Sequence, residues 1–262
     1  MTIWTKAIVG GMAVIFAAQS AGAQDFFMSG TSPMDLAPMT RTITNSAINK
    51  HSLDAISRHN AARDRSGMPV AIAAGAPRGI LTQAATQSGP GRGPALPFRA
   101  SVGDQQRAKD AFLQRLSAKN PSVVAQARDQ MARHDFDRIY AGITRPFGLS
   151  ANDAGDVMTA YLVLGWMIAN GAPDPSISGV RAARDHVAGL LAQGGALADP
   201  GTRASVAEEL KLLFVIMHSG WQSARREGTL AQYANGVARM FATQNGDDLR
   251  RIVLTDAGFR AR

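Results

Sequence analysis

One stretch limits what this chain can fold into more than any other: Ser150 to Gly171, which carries both of its own boundary signals. Ser150 with Asp153 three residues on reads as an N-cap and an acidic partner, and Asp156 adds negative charge at the positive end of the helix dipole. Gly171 falls where a left-handed residue closes a helix, and Pro173 forbids continuation. Between these ends, only Thr159 and Gly165 interrupt an apolar run from Val157 to Ala169. A helix apolar on nearly every side is buried on nearly every side. About 20 helical residues span roughly 30 Å, the width of a small domain. The segment therefore reads as the central post of an all-α helical bundle.

The flanking pattern supports this. Asp104 can cap a helix that turns Ala108, Ala111, Phe112 and Leu116 inward, and Asn120-Pro121 signals a second bearing Val124, Ala127 and Met131. Phe136, Ile139, Tyr140 and Ile143 keep helical spacing up to a break at Arg145-Pro146-Phe147-Gly148. After the central helix, Ser176 or Ser178 begins another, with Val180, Ala183, Val187, Leu190 and Leu191 inward and a stop at Gly194-Gly195. Thr202 opens the most regular stripe, through Val206, Leu210, Leu213, Phe214, Met217 and Trp221, and Gly228 ends it. Thr229 caps the last, with Leu230, Tyr233, Val237 and Phe241 toward the core. Residues 249–254 fit either a helical turn or a short strand. The expectation is a single bundle of about six helices over residues 102–262, around a buried helix at about 150–171.

The N-terminus reads differently. Lys6, an apolar stretch from Ala7 to Ala18 and the small residues Ala21-Gly22-Ala23 form a secretory signal peptide over residues 1–23, cleaved after Ala23. No cysteine follows it, so no lipid anchor of the lipoprotein kind is signalled. No later apolar run reaches the ~18 residues of a transmembrane helix. The expected location is periplasmic or secreted. Residues 24–101 form a low-complexity stretch, within which Met68 to Phe98 is rich in Gly, Pro, Ala and Thr and carries Gly89-Pro90-Gly91-Arg92-Gly93-Pro94. Such a composition offers little apolar surface against chain entropy, so Met68 to Phe98 is expected to be a disordered linker. One weak helix over residues 41–65, with Arg41, Lys50, Arg58, Arg63 and Arg65, could lie on a membrane surface or dock on a partner.

Zero cysteines in an exported chain leave burial alone to hold the fold. The net charge of +8 is spread thinly, with no dense run of one sign. Export argues against a nucleic-acid partner, and the mild positive balance fits solubility or loose attraction to an anionic envelope surface.

Chemical motifs are mostly absent. There is no Gly-x-Gly-x-x-Gly or Walker loop, no His-Glu-x-x-His, no Gly-x-Ser-x-Gly elbow and no thiol. The five histidines are scattered, and His134 beside Asp135 and Asp137 reads as a helix start rather than a metal site. No cofactor or metal is expected. Two groups remain. Asp153 and Asp156 share a helix face, and Glu208 lies in the first turns of a later helix. If the N-terminal ends of these helices meet, the carboxylates could converge as glycoside cleavage requires. Helix dipoles also select acids at these positions without any catalysis. Tyr161, Trp166 and Asn170 either line a ligand pocket or make polar contacts within a core, with Glu208 or Asp156 as partner.

Gly148-Leu149, Asn152-Asp153, Tyr161, Trp166, Asn170-Gly171, Ala207-Glu208 and a closing Leu254-Thr255-x-x-Gly258-Phe259 together resemble a family of uncharacterised secreted bacterial proteins. That resemblance covers roughly residues 102–262. It implies an export signal, a variable N-terminal stretch and an α-helical C-terminal domain, with no activity or cofactor attached. The leading functional expectation is a non-catalytic exported envelope module that binds a protein or surface partner. A cell-wall glycan hydrolase using Asp153, Asp156 and Glu208 is the alternative. A small-ligand carrier with a pocket near Tyr161 and Trp166 is the third reading.

Overall fold

In the computed structural model, residues 78–86, 93–119, 121, 124–195 and 197–262 are described. The signal peptide expected over residues 1–23 and the weak helix expected over residues 41–65 lie outside them. The chain is mostly helical. Eight α-helices follow one another among the described residues: α1 (Ile80–Thr86), α2 (Val102–Lys119), α3 (Val124–Arg133), α4 (Phe136–Thr144), α5 (Ala154–Asn170), α6 (Ile177–Gln193), α7 (Pro200–Glu227) and α8 (Leu230–Met240). A π turn (Phe241–Asn245) and a 3-10 turn (Leu249–Arg251) lead into β1 (Ile252–Thr255) and β2 (Gly258–Ala261). The two strands pair antiparallel, with Ile252 opposite Ala261 and Thr255 opposite Gly258. About six helices were expected. The extra members are α1, which composition hid, and a split of the segment before α5 into more pieces than anticipated.

Helix α5 is the hub. Every residue from Ala154 to Ala169 is buried, and the helix packs against α7, α6 and α8. Gly171 takes the left-handed conformation foreseen for it, at φ 58°. The start is different. Asp153, not Ser150, is the N-cap, and its Oδ1 accepts from the Asp156 N–H at 3.0 Å. Ser150 instead donates its own N–H to Asp156 Oδ2 at 2.7 Å. The chain enters the helix one turn later than a serine cap would allow.

Two other starts move for the same kind of reason. Asp104 sits inside α2 as the acidic half of a capping box: its N–H donates to Ser101 Oγ and its carboxylate accepts the Ser101 N–H. Helix α7 begins at Pro200 with Asp199 as cap, accepting the Thr202 N–H at 2.6 Å. An aspartate followed by proline at the first helical position is the stronger signal, and it overrides Thr202. Leu230, expected inward, is 40% exposed, whereas Tyr233, Val237 and Phe241 are buried.

Of the stretch expected as a linker, residues 78–86 and 93–101 are described, and they carry buried side chains. Ile80, Leu81, Ala84 and Ala85 of α1 are buried, as are Leu96 and Phe98. Asp247 holds α1 from afar, accepting the N–H groups of Leu81 and Thr82 and the Thr82 hydroxyl proton. Gly and Pro content there masks a few apolar anchors: α1 packs against α6 and the β1–β2 hairpin, and the Phe98 ring lies beside Lys211 of α7.

Candidate functional site

The sequence singled out six residues, and the structure gives each a partner. Asp153 and Asp156 stand at the start of α5, one turn apart, and meet Arg184 from α6. Arg184 Nε donates to Asp156 Oδ1 at 2.6 Å and Nη2 to Asp153 Oδ1 at 3.2 Å. Asp153 Oδ2 accepts the Leu96 N–H at 2.6 Å, and Asp156 Oδ2 accepts that of Ser150. All four carboxylate oxygens are thus committed. Desolvation works against the Arg184 charge, but the Asp156 hydrogen bond and the two carboxylates outweigh it and raise its pKa. Burial pushes the Asp156 carboxyl above its usual range, opposed by the Ser150 N–H and Arg184.

Arg184 also reaches Gly93 O through Nη1 at 2.8 Å, and Asp185 accepts the Gly93 N–H at 3.0 Å. Residues 93–98 are therefore strapped across the end of α5. The Ala154 N–H donates to Leu96 O and the Phe98 N–H to Asn152 O, at 2.9 and 3.0 Å. Pro97 and Asp153 form an isolated antiparallel bridge.

Glu208 does not join this group. It lies in a second cluster on α7, with Oε1 2.5 Å from Lys211 Nζ. Lys211 also pairs with Asp137 of α4, which accepts in addition from Gln105 of α2. The Lys211 ammonium stands 5.6 Å from the centre of the Phe98 ring. Next in sequence, Glu209 takes Arg115 of α2 as its partner. Burial raises the Glu208 carboxyl, with the Lys211 ammonium opposing it. A general acid or base needs a proton site open to substrate. Asp153 and Asp156 spend theirs on backbone N–H groups and a guanidinium, and Glu208 lies 5% exposed against an ammonium.

Tyr161, Trp166 and Asn170 run along α5, and each has a partner within the fold. The Tyr161 ring stacks on Phe241 at 5.2 Å, and burial pushes its hydroxyl pKa up. Trp166 donates Nε1–H to Ile252 O at 2.9 Å, so its partner is a strand carbonyl rather than Glu208 or Asp156. Asn170 Nδ2 donates to Trp166 O and Leu249 O, at 2.9 and 3.0 Å. Trp166 and Asn170 together fasten the C-terminal hairpin to the hub.

Arg184 and Lys211 are the residues that sequence reasoning missed. Both had a signal. Arg184 lies four residues after Val180 and three before Val187, and Lys211 lies four from Ala207 and four from Val215, so each charge falls on an apolar face. A charge so placed must find a counter-charge or leave the core. His134, next to the start of α4, contacts Gln130 at 3.2 Å. Among the described residues, no group of three His, Cys, Asp or Glu side chains is disposed to hold a metal ion. None of the helices among the described residues is long and apolar enough to cross a membrane. Comparison with protein-family models, with curated proteins and with solved structures finds no match for this chain.

Proposed function

We propose that the protein is a non-catalytic binding module, exported through residues 1–23 and acting in the envelope on a protein or surface partner. One observation carries this reading: the acids that could have formed a hydrolytic pair are consumed in holding elements together. Asp153 and Asp156 tie α5 to α6 and to residues 93–98, and Glu208 faces Lys211. With these acids engaged inside the fold, recognition falls to the outer surface of the helical domain.

The test is capture of partners from an envelope extract by the full mature chain. Because α1 and residues 93–98 pack into the helical domain, the bait must retain them. A defined partner recovered above a control chain with reversed surface charges is the expected result. Recovery of none would reject the module reading. For the export step, N-terminal sequencing of the protein from the envelope fraction should begin at Gln24.

A further inference from the structure

Residues 93–98, Gly-Pro-Ala-Leu-Pro-Phe, lie in their slot as a bound peptide does. The contacts alternate. Leu96 and Phe98 are 6% exposed each, while Ala95 and Pro97 face outward. That is the two-residue period of an extended chain with one face inward. Between these anchors the slot reads main chain. It gives a donor to Leu96 O and acceptors to the N–H groups of Leu96 and Phe98. Arg203 Nη1 donates to Pro97 O at 3.1 Å. The Gly93 end is read from both sides, N–H by Asp185 and C=O by Arg184. Gly93 also approaches α6 so closely that a Cβ would stand 2.4 Å from Asp185 O. Only glycine fits there.

Main-chain bonds for hold and alternate pockets for choice are the elements of strand-addition recognition. We propose that this slot is a peptide-binding groove, with the chain's own Gly93–Phe98 as its resting occupant. The partner is an extended segment with glycine, a leucine-like residue three positions on and an aromatic two further. The proposal rests on the binding-module reading and names its surface. Because the resting occupant is tethered, it competes at an effective concentration in about the millimolar range. An external segment wins only when the tether is weakened or its own affinity is high.

The test uses the full chain carrying Leu96→Ser and Phe98→Ser, and a fluorescent peptide of the sequence of residues 93–99 read by anisotropy. The expected result is binding at least tenfold tighter to the double variant than to the unaltered chain. The same peptide with valine for its leading glycine should bind at least tenfold more weakly. A double variant that keeps its helical spectrum and cooperative melt yet binds no more tightly overturns the groove. Should the double variant not fold, amide exchange on the unaltered chain decides. Leu96 and Phe98 amides exchanging at least tenfold faster than those of Val157 to Leu164 support a strap that opens on its own, and equal rates overturn it. The two readings fail separately. An envelope partner that binds the double variant and the unaltered chain alike, with no peptide binding, removes the groove and leaves the module. Peptide binding without any envelope partner does the reverse.

Discussion

His218 lies on α7 with Phe214 stacked 6.3 Å away and Trp221 edge-on at 5.9 Å. Burial first, and the nearby Arg225 charge second, lower its pKa from 6.5 to about 4. At pH 7 the folded ring is neutral and the unfolded one mostly so. Below pH 6.5 the unfolded chain takes up a proton that the folded chain refuses until about pH 4. Stability therefore falls as pH drops through that window, by up to about 3 kcal/mol for a shift of this size, and levels off below it. Urea midpoints measured from pH 7 to pH 4 should show the slope, and His218→Phe should remove that share of it. Gly165 offers a second test at this scale. A Cβ there would lie 2.4 Å from Phe241 Cζ, and Phe241 is fully buried against Tyr161. Gly165→Ala gains about 1 kcal/mol of helix propensity. The overpacking costs more, so a net loss of about 1–2 kcal/mol is expected by denaturation. Phe241→Leu in the same chain should recover part of that loss, a coupling a double-mutant cycle measures.

At the scale of elements, boundaries that rest on local chemistry were legible and those that rest on distant partners were not. Gly171, Pro146 and Gly228 stop helices where their backbone preferences say they must. Of the two serines offered as the start of α6, Ser176 is the cap, accepting the Gly179 N–H at 3.0 Å. Helix α1 escaped notice because it has seven residues, too few for periodicity, and because its cap is Asp247, far along the chain. A helix this short is marginal without outside help. Replacing Asp247 by Ala leaves the Leu81 and Thr82 N–H groups without their acceptor, and should cost about 1–2 kcal/mol. The readout is local: hydrogen exchange at Leu81 and Thr82 should accelerate while that of Val157 to Leu164 stays near the wild-type rate. Uniform acceleration along the chain would show instead that α1 is inseparable from the rest. Trp166 and Asn170 illustrate the converse. Their polar groups advertised partners, but those partners are the carbonyls of Ile252, Leu249 and Trp166 itself. No residue type in the sequence marks a carbonyl as taken.

For the whole molecule, the apolar run of α5 pointed to a buried helix in a mostly helical chain, because a helix without a polar face has only one place to be. What the run could not show is how its polar entrance is closed. That closure depends on Arg184, which joins α6, α5 and residues 93–98 through Asp153, Asp156 and Gly93 O. The Arg184 side chain is 16% exposed, and those of Asp153 and Asp156 are 11% and 12%, so the charges are enclosed together. Removing the cation alone leaves two enclosed carboxylates repelling each other, and Arg184→Ala should cost about 3 kcal/mol or more. Arg184→Lys should recover only part, since an ammonium is a point charge and cannot spread its donors over three acceptors in one plane. The triple change Arg184→Met, Asp153→Asn, Asp156→Asn removes the uncompensated charge and keeps the amide as a helix cap. It should be more stable than Arg184→Ala in the same urea titration. If the triple variant is no better than Arg184→Ala, the loss comes from the Arg184 bond to Gly93 O and the strap it holds rather than from the stranded acids.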